Sequence, residues 1–208
     1  IIVGFGSSGR ATYEKEYNSG IASNGLTSAR HDVLAKFYAE KFKETYESSL
    51  PDEVVYIGNN QMTDTIPGAE LSVGKLLLSP TRTYAPLLKV LLEEYFDSIH
   101  GLIHCSGGGQ TKCMKYLPAN FRIVKDNLFE PPVIFQLIQK ASGADRREMY
   151  QVFNMGHRLE IFTNEAAAQK LMDAAKKFNI ESQVVGRVEA GNKKELVLKT
   201  GGEEILYA

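Results

Sequence analysis

A glycine-rich stretch in the middle of the chain has the residue types that bind anions. Residues 101–116 read GLIHCSGGGQTKCMKY, an apolar strand end followed by a turn. The polar and glycine positions of this turn are His104, Ser106, Gly107, Gly108 and Gly109. A strand that runs through glycines into a helix leaves backbone N–H groups unpaired, and these groups can bind a phosphate or a carboxylate. A plain turn is the alternative interpretation, because GGG matches neither common phosphate-binding fingerprint.

Three further segments carry residues that could line an anion site. The candidates are Ser23, Asn24, Gly25, Thr81, Arg82 and Asn154. The first three lie at the end of a long polar loop, which either lines a ligand site or is a surface excursion. Arg82 lies at a helix entrance, where a positive charge opposes the helix dipole, so it either holds an anion or is solvated.

Other kinds of chemistry lack the side chains that they need. The serines of GSSG are not in a GxSxG elbow, and His104 and Cys105 point to opposite faces if they are neighbours in a strand. The four histidines show no HxH or HExxH spacing, and closely paired aspartates that could hold Mg²⁺ do not occur in the sequence. We therefore expect no metal site in this chain.

The composition is that of a soluble protein without a charged partner. The chain has 208 residues, 43% of them hydrophobic and 24% charged, and a formal net charge of −1. This charge gives no reason to expect nucleic acid or an anionic membrane as a partner. No apolar run approaches the about 18–20 residues that cross a bilayer. Two cysteines without CxxC spacing indicate reduced thiols and a cytoplasmic protein.

Strand and helix patterns alternate along the chain. This order predicts an α/β (α+β) fold, a layered sandwich with one mixed sheet covered by helices. The opening IIVGFG is an apolar strand pattern without an initiator Met, so we expect the chain to be a piece of a longer protein.

Several of these patterns can be placed on the chain. Helical spacing of apolar residues predicts helices from Thr27 to Tyr46 and from Tyr84 to Ile99, and Val54 to Ile57 reads as a short strand. Alternation over residues 157–162 predicts a strand with Leu159 and Ile161 on one face, on which Arg158 either contacts a phosphate or faces solvent.

Four motifs in series resemble the AIR synthase family of phosphoribosylformylglycinamidine cyclo-ligases. VGFGSSG with SNG, then LLLSPTRTYAPLL, GLIHCSGGG and EMYQVFNMG follow the family's order from residue 3 to about residue 156. The strand–helix–strand tail fits as well, so the resemblance covers nearly the whole chain. The chain differs from the usual family pattern at Ala22, at residues 10–19 and at His157-Arg158, which could mark a change of substrate.

The resemblance implies an ATP-dependent reaction of de novo purine biosynthesis. ATP activates the formyl oxygen of formylglycinamidine ribonucleotide, and a nitrogen of the same molecule closes the aminoimidazole ring. In this family the active site is a cleft between two domains, and the N-terminal domain supplies the dimer interface and most ATP and Mg²⁺ contacts. Residues 1–208 then correspond to the C-terminal domain, inactive alone, of a protein that is a homodimer at full length.

The resemblance also implies which residues line the cleft. The residues expected to bind substrate or phosphate are Ser23, Asn24, Gly25, Thr81, Arg82, Ser106, Gly107, Gly108, Gly109 and Asn154. His104 is the expected catalytic residue, although a strand-end histidine bonded to backbone is the alternative. Two other functions stay open: another ATP-using chemistry of the superfamily with a changed substrate, or a stand-alone module that binds a phosphorylated metabolite.

Overall fold

A computed structural model describes residues 1–23 and 25–208. The strands are β1 (Ile2–Gly6), β2 (Ser8–Gly9), β3 (Asn18–Ser19), β4 (Ile99–His104), β5 (Phe121–Lys125), β6 (His157–Thr163), β7 (Ser182–Ala190), β8 (Glu195–Thr200) and β9 (Glu203–Tyr207). The α-helices are α1 (Leu26–Val33), α2 (Phe37–Lys41), α3 (Val73–Leu77), α4 (Ala85–Tyr95), α5 (Val133–Ser142), α6 (Arg146–Val152) and α7 (Glu165–Lys177). Short 3₁₀ helices span Lys43–Thr45, Asp52–Val54, Phe96–Ser98 and Gly109–Tyr116. No helix among these residues is long and apolar enough to cross a membrane.

Seven of the strands form one mixed sheet in the order β4-β6-β1-β7-β5-β8-β9. Neighbours are antiparallel except β5 and β8, which are parallel. All five residues of β1 are buried, because this strand lies inside the sheet and helices cover both faces. Strands that are buried on both faces read as continuous apolar runs, as IIVGFG does. The predicted mixed sheet covered by helices is confirmed.

Each face of the sheet carries its own hydrophobic core. On one face Val3, Phe5, Leu159 and Ile161 pack with residues of α4 and α7. The other core contains residues of α1, α3, α5 and α6 and, from the sheet, Ile2, Ile103, Ile123, Val185, Leu196, Leu198, Ile205 and Tyr207. Neighbouring residues such as Ile2 and Val3 belong to different cores because successive strand side chains point to opposite faces. The predicted common face of Leu159 and Ile161 is confirmed.

Two of the predicted helices are shorter than their apolar spacing suggests. The first ends at Val33, because Leu34 is extended and forms an isolated parallel bridge with Asn60, as Ala35 does with Gly58. The chain then starts again as α2, so the prediction of one helix from Thr27 to Tyr46 was wrong. Of the apolar residues that carry this spacing, Leu34 is buried and Tyr38, Phe42 and Tyr46 are partly buried, but Phe37 is exposed.

The helix predicted from Tyr84 to Ile99 also ends early, at Tyr95. A 3₁₀ turn, Phe96–Ser98, follows it, and Ile99 is the first residue of β4. The strand predicted from Val54 to Ile57 was wrong as well, since a 3₁₀ helix, Asp52–Val54, occupies its start. Periodicity reports which residues are buried, and burial does not by itself distinguish a helix end from the strand after it.

A buried ion pair joins two strands that are not neighbours in the sheet. Lys125 Nζ lies 2.5 Å from Glu160 Oε1, and neither side chain is exposed. These residues lie on β5 and β6, which β7 and β1 separate. The pair spans this gap over Gly4 of β1, where an added Cβ would lie 2.6 Å from Val185 Cγ1 and 3.0 Å from His157 Cδ2. The glycine therefore leaves the room that the polar side chains need.

The remaining partners of this ion pair tie the sheet to the glycine turn. Lys125 Nζ also donates to the backbone oxygen of Gln110 at 2.8 Å and to its Oε1 at 3.0 Å. Gln110 Nε2 in turn donates to the carbonyl oxygens of Asn154 (2.6 Å) and His157 (3.0 Å). We call Lys125, Glu160, Gln110 and His157 the buried polar network. It fixes the turn after β4 relative to the turn before β6.

The charges within the network follow from its pairing. Burial alone raises the pKa of Glu160, but Lys125 and His157 outweigh burial and hold this pKa at about 2. Burial also lowers the pKa of His157, so the imidazole is neutral and its Nε2–H donates to Glu160 Oε1 at 2.8 Å. For Lys125, burial lowers the pKa, but nearby Cys113 and Glu160 together raise it above its ordinary value. Lys125 and Glu160 are both ionised at neutral pH.

Removing the negative charge of the network will destabilise the fold. We expect Glu160→Gln to lower the free energy of unfolding by about 3–5 kcal/mol, because Lys125 stays charged in a buried site. Urea denaturation measures this loss. The control is Glu189→Gln, whose partners Arg122 and Arg187 are both partly exposed, and it should lose little. Equal losses in the two variants would contradict the structural role of the network.

The same charges predict how stability depends on pH. The pKa of Glu160 is lower in the folded protein than its ordinary value of 4.5, so its contribution is present above pH 4.5. That contribution is lost as the pH falls from 4.5 towards about 2. Urea denaturation at a series of pH values should therefore show a steeper loss over this range in the wild type than in Glu160→Gln. Parallel curves would show that folding does not lower the pKa of Glu160.

Candidate functional site

The residues selected from the sequence lie around one edge of the sheet. Strand β6 runs antiparallel to both β1 and β4, so its first residues lie beside the last residues of those strands. Gly6 pairs with His157, and His104 pairs with Leu159. The turn after β4, the loop after β1 and the turn before β6 therefore meet at this edge.

The glycine turn leaves backbone donors available. Gly107, Gly108 and Gly109 have φ angles of 62°, 112° and 46°, in the region that favours glycine. A Cβ on Gly109 would lie 2.4 Å from the carbonyl oxygen of Phe153, so the turn packs directly on the end of α6. Among the described residues, no acceptor lies within hydrogen-bond distance of the N–H groups of Gly107 and Gly108. The turn can therefore donate to an anion.

His104 lies at the end of β4, beside the glycine turn and exposed. Its Nδ1 is 2.9 Å from Ser106 Oγ, and its ring contacts Tyr84 edge-on with centroids 6.4 Å apart. Desolvation lowers the pKa of His104, and the positive charges of Arg158 and Lys112 lower it further. The imidazole is therefore neutral at neutral pH and can accept a proton.

The loop before α1 contributes an exposed rim to this edge. Ser23 N donates to Thr81 Oγ1 at 3.3 Å, so these two predicted residues are brought together. Gly25 caps α1 with a φ of 77°, and a Cβ there would lie 2.5 Å from Phe153 Cε1. The loop and the glycine turn thus both pack against Phe153. Asn24, which was also predicted to bind substrate, lies outside the described residues.

Asn154 holds neighbouring loops together. It is 4% exposed, and its Oδ1 accepts from Ser7 Oγ at 2.7 Å and from Gly156 N at 3.1 Å. Its Nδ2 donates to the carbonyl oxygen of Gly20 at 2.9 Å. Both polar atoms of its side chain are therefore bonded within the chain. This arrangement supports a positioning role, and the direct contact of Asn154 with a ligand stays a prediction.

Arg82 is neither an open anion site nor a solvated side chain. Its Nε and Nη2 donate to the two oxygens of Glu14 at 3.0 and 2.6 Å. Its Nη1 donates to the carbonyl oxygens of Gly6 (3.0 Å) and Ser8 (2.8 Å). All three nitrogens are occupied and the residue is 2% exposed, so the interpretation of Arg82 as a solvated side chain was wrong, while its contact with a substrate or phosphate stays a prediction. Arg82 anchors the loop after β1, because a buried guanidinium needs internal partners.

Sequence reasoning missed the polar residues beneath the site. The alternation of β6 suggests that His157 and Glu160, three positions apart, point to opposite faces. Gly6 pairs with His157 and Phe5 pairs with Leu159, so Arg158 has no partner of its own on β1. This extra residue is a β-bulge. The bulge lets His157 and Glu160 meet and turns Arg158 inward, where it is buried. The HxxE spacing of His157 and Glu160 is a signal in the sequence that the search for histidine motifs overlooked, and only the bulge makes it a contact.

Comparison with known proteins identifies the family of the chain. The family model for the AIR synthase related protein, C-terminal domain, matches residues 2–199. The phosphoribosylformylglycinamidine cyclo-ligase of Methanopyrus kandleri is 30% identical over 188 residues, which are 90% of this chain and 46% of that protein. The cyclo-ligase of Methanobrevibacter smithii is 32% identical over 189 residues, or 90% of this chain and 49% of that protein.

The chain thus spans about half the length of these curated relatives. Among solved structures, T. maritima PurL complexed with FGAR aligns with 99% of this chain and 26% of its own. The TM-score of that alignment is 0.46, and the sequence identity is 14%.

The close packing of the glycine turn predicts a destabilised Gly109→Ala variant. An added Cβ meets both a positive φ and the carbonyl oxygens of Phe153 and Tyr150, at 2.4 and 2.6 Å. The matched control is Gly143→Ala, where φ is 71° but no atom lies within 4 Å. We expect the control to lose about 1–2 kcal/mol of unfolding free energy from strain alone and Gly109→Ala to lose more. Equal losses in urea denaturation would contradict the contact with α6.

The charges near His104 predict a measurable change in its pKa. Lys112 is one of the two positive charges that lower this pKa, so we expect Lys112→Met to raise it. An NMR pH titration of the His104 ring measures the change. Lys115→Met is the control, because Lys115 is exposed on the same 3₁₀ helix and is not among the groups that shift His104. If Lys112→Met leaves the titration of His104 unchanged, the two side chains are not neighbours in solution.

Proposed function

The chain belongs to the AIR synthase related protein family through its C-terminal domain, and on this premise we propose that it is part of an ATP-dependent phosphoribosylformylglycinamidine cyclo-ligase. The supporting observation is the similarity to curated cyclo-ligases over 90% of the chain. The proposed reaction converts formylglycinamidine ribonucleotide to aminoimidazole ribonucleotide in de novo purine biosynthesis. Because the chain spans about half of these relatives, we assign the activity to a longer protein with an N-terminal ATP-binding domain.

The residues of the candidate site divide into two roles under this proposal. The N–H groups of Gly107 and Gly108 donate to the oxygens of a phosphate, and Lys112 adds positive charge nearby. His104 is neutral, so it accepts a proton from the nitrogen that attacks during ring closure. Ser106 fixes the orientation of the imidazole through its bond to Nδ1.

The exposed rim and the buried polar residues complete the proposed site. Ser23 and Thr81 are exposed and close together, so they can contact the substrate. Asn154 and Arg82 act indirectly, because their polar atoms hold the loops on which the contacting residues lie. A substitution at either residue therefore alters the site through loop position.

ATP and Mg²⁺ fit this chain differently. When bound, ATP supplies the phosphoryl group that activates the formyl oxygen of the substrate. The free N–H groups of the glycine turn suit a phosphate, either that of the nucleotide or that of the substrate. Within residues 1–23 and 25–208, no group of three His, Cys, Asp or Glu side chains is placed to hold a metal ion. We therefore propose that the N-terminal domain of the longer protein holds Mg²⁺.

The proposal extends to compartment and assembly. Cys105 and Cys113 are free and buried, as expected in a reducing compartment, so we propose a cytoplasmic protein. The net charge of −1 supports small phosphorylated ligands as partners instead of nucleic acid or an anionic membrane. We propose a homodimer formed through the N-terminal domain, as the family resemblance implies.

Turnover by the longer protein tests the proposed reaction. With formylglycinamidine ribonucleotide and ATP, we expect ring closure by the full-length protein and none by the 208-residue chain alone. His104→Ala should lower kcat about 10²–10⁴-fold, because it removes the proton acceptor. His100→Ala is the control and should leave kcat unchanged, because His100 is exposed on the same strand.

Two outcomes would contradict different parts of this proposal. A folded full-length protein without turnover would overturn the cyclo-ligase assignment and favour a changed substrate. Turnover that His104→Ala leaves intact would keep the reaction but remove the proton-transfer role of His104.

A further inference from the structure

Arg158 is a buried cation without a full set of partners. Its side chain is 0% exposed, and its Nη2 donates to the carbonyl oxygens of Gly20 at 2.6 Å and Ile21 at 2.8 Å. Its Nε and Nη1 have no hydrogen-bond partner in the part of the chain that the structure describes. Arginine stays protonated in proteins, and an unpaired buried charge destabilises the fold. Orphaned buried groups of this kind need a physical explanation.

Among the described residues, the carboxylate that influences Arg158 is already paired with another arginine. Glu14 is the acidic group among the neighbours that influence it, and both of its oxygens are already bonded to Arg82. The Tyr84 hydroxyl donates to the carbonyl oxygen of Gly6 at 2.8 Å, and burial raises its pKa, so it stays neutral. The Cys105 thiol is neutral for the same reason. The charge that balances Arg158 has to come from outside this group.

The environment of Arg158 favours an anion over a neutral ligand. Arg158 and Lys112 both lower the pKa of His104, which places these positive charges beside the exposed imidazole. The free N–H groups of Gly107 and Gly108 lie on the turn that begins two residues after His104. Arg158 is attached to the same turn, because its carbonyl oxygen accepts from Cys105 N at 2.5 Å. The backbone of Arg158 and the unpaired donors of the glycine turn are therefore both adjacent to the end of β4.

The geometry of the guanidinium shows how an anion would bind. A guanidinium offers two forks, Nε with Nη2 and Nη1 with Nη2, that fit two oxygens of a phosphate. In Arg158 each fork has one free donor, while the shared Nη2 is occupied by the carbonyls of Gly20 and Ile21. Bidentate binding therefore requires these neutral acceptors to be replaced by a charged oxygen, which forms the stronger hydrogen bond.

The segment that covers Arg158 has glycines where it would need to move. Gly20 has a φ of 88° and Gly25 a φ of 77°, and they flank the exposed Ser23. Glycine changes its backbone angles at low cost, so residues 20–23 can shift as a short segment once the bond from Asn154 to Gly20 and the packing of buried Ile21 are given up. The shift would open a path from the exposed contact between Ser23 and Thr81 to the buried guanidinium.

We propose that Arg158 is a specificity-determining residue that binds the phosphate group of the ligand when residues 20–23 move aside. Loop position and ligand binding are then coupled, because Nη2 serves the loop in one state and the phosphate in the other. The inference deepens the proposed function and rests on it for the identity of the ligand as a phosphorylated substrate or nucleotide. The presence of an anion does not depend on the proposed function, because the unpaired donors of Arg158 indicate an anion independently.

Titration of the 208-residue protein with inorganic phosphate tests this inference. By calorimetry we expect saturable binding that Arg158→Met weakens by about tenfold or more, because charge-assisted hydrogen bonds are lost. Arg158→Lys should be intermediate, as it keeps the charge but not the fork. Arg187→Met is the matched control on β7, where the arginine is partly exposed and paired with Asp126 and Glu189, and it should be unchanged. Circular dichroism checks that each variant is folded.

NMR of the wild type keeps the test decisive if Arg158→Met does not fold. Phosphate should shift the Nε–H resonance of Arg158 and raise the pKa of His104, since an anion offsets the nearby positive charge. The absence of phosphate binding, or an Arg158 resonance that stays unchanged at saturation, would overturn the inference. Phosphate binding through Arg158 in a protein without cyclo-ligase turnover would instead overturn only the proposed function.

Discussion

The candidate site depends on a buried ion pair that crosses the sheet. Lys125 and Glu160 lie on strands that two others separate, and both are completely buried, so each is stable only with the other in place. Because Lys125 also binds Gln110, the pair fixes the 3₁₀ helix that follows the glycine turn. Gln110 in turn holds the backbone of Asn154 and His157. The buried charges of Lys125 and Glu160 therefore hold the exposed turns at this edge in position.

Burial separates the residues that can meet a ligand from those that organise the site. A buried polar group has to be satisfied within the chain, and once satisfied it has little left to offer a ligand. Arg82 and Asn154 follow this rule, since the structure provides partners for their side-chain polar atoms. His104 and Thr81 are exposed and can act on a bound molecule. Arg158 is buried but unsatisfied at two nitrogens, which explains why its role differs from that of Arg82.

A single extra residue in β6 has consequences on both faces of the sheet. Without the bulge, His157 would point away from Glu160, and Arg158 would lie on the opposite face from Leu159. With the bulge, His157 joins the buried polar network while Arg158 reaches the backbone of Gly20 and Ile21. The bulge therefore places His157 in the buried polar network and Arg158 beside residues 20–23.

The sequence by itself determined the features that act over a few residues. Apolar runs and alternation identified the strands β1 and β6, and the glycines marked the turn after His104. The mixed sheet followed from the order of these elements, and the family from the motifs within them.

Tertiary structure alone decided which side chains meet. Arg82 finds Glu14 68 positions earlier, and Asn154 finds Gly20 134 positions earlier. The break after α1 depends on residues 58 and 60. Periodicity and capping act between near neighbours, whereas these contacts depend on strand register and on a bulge, which only the assembled sheet specifies.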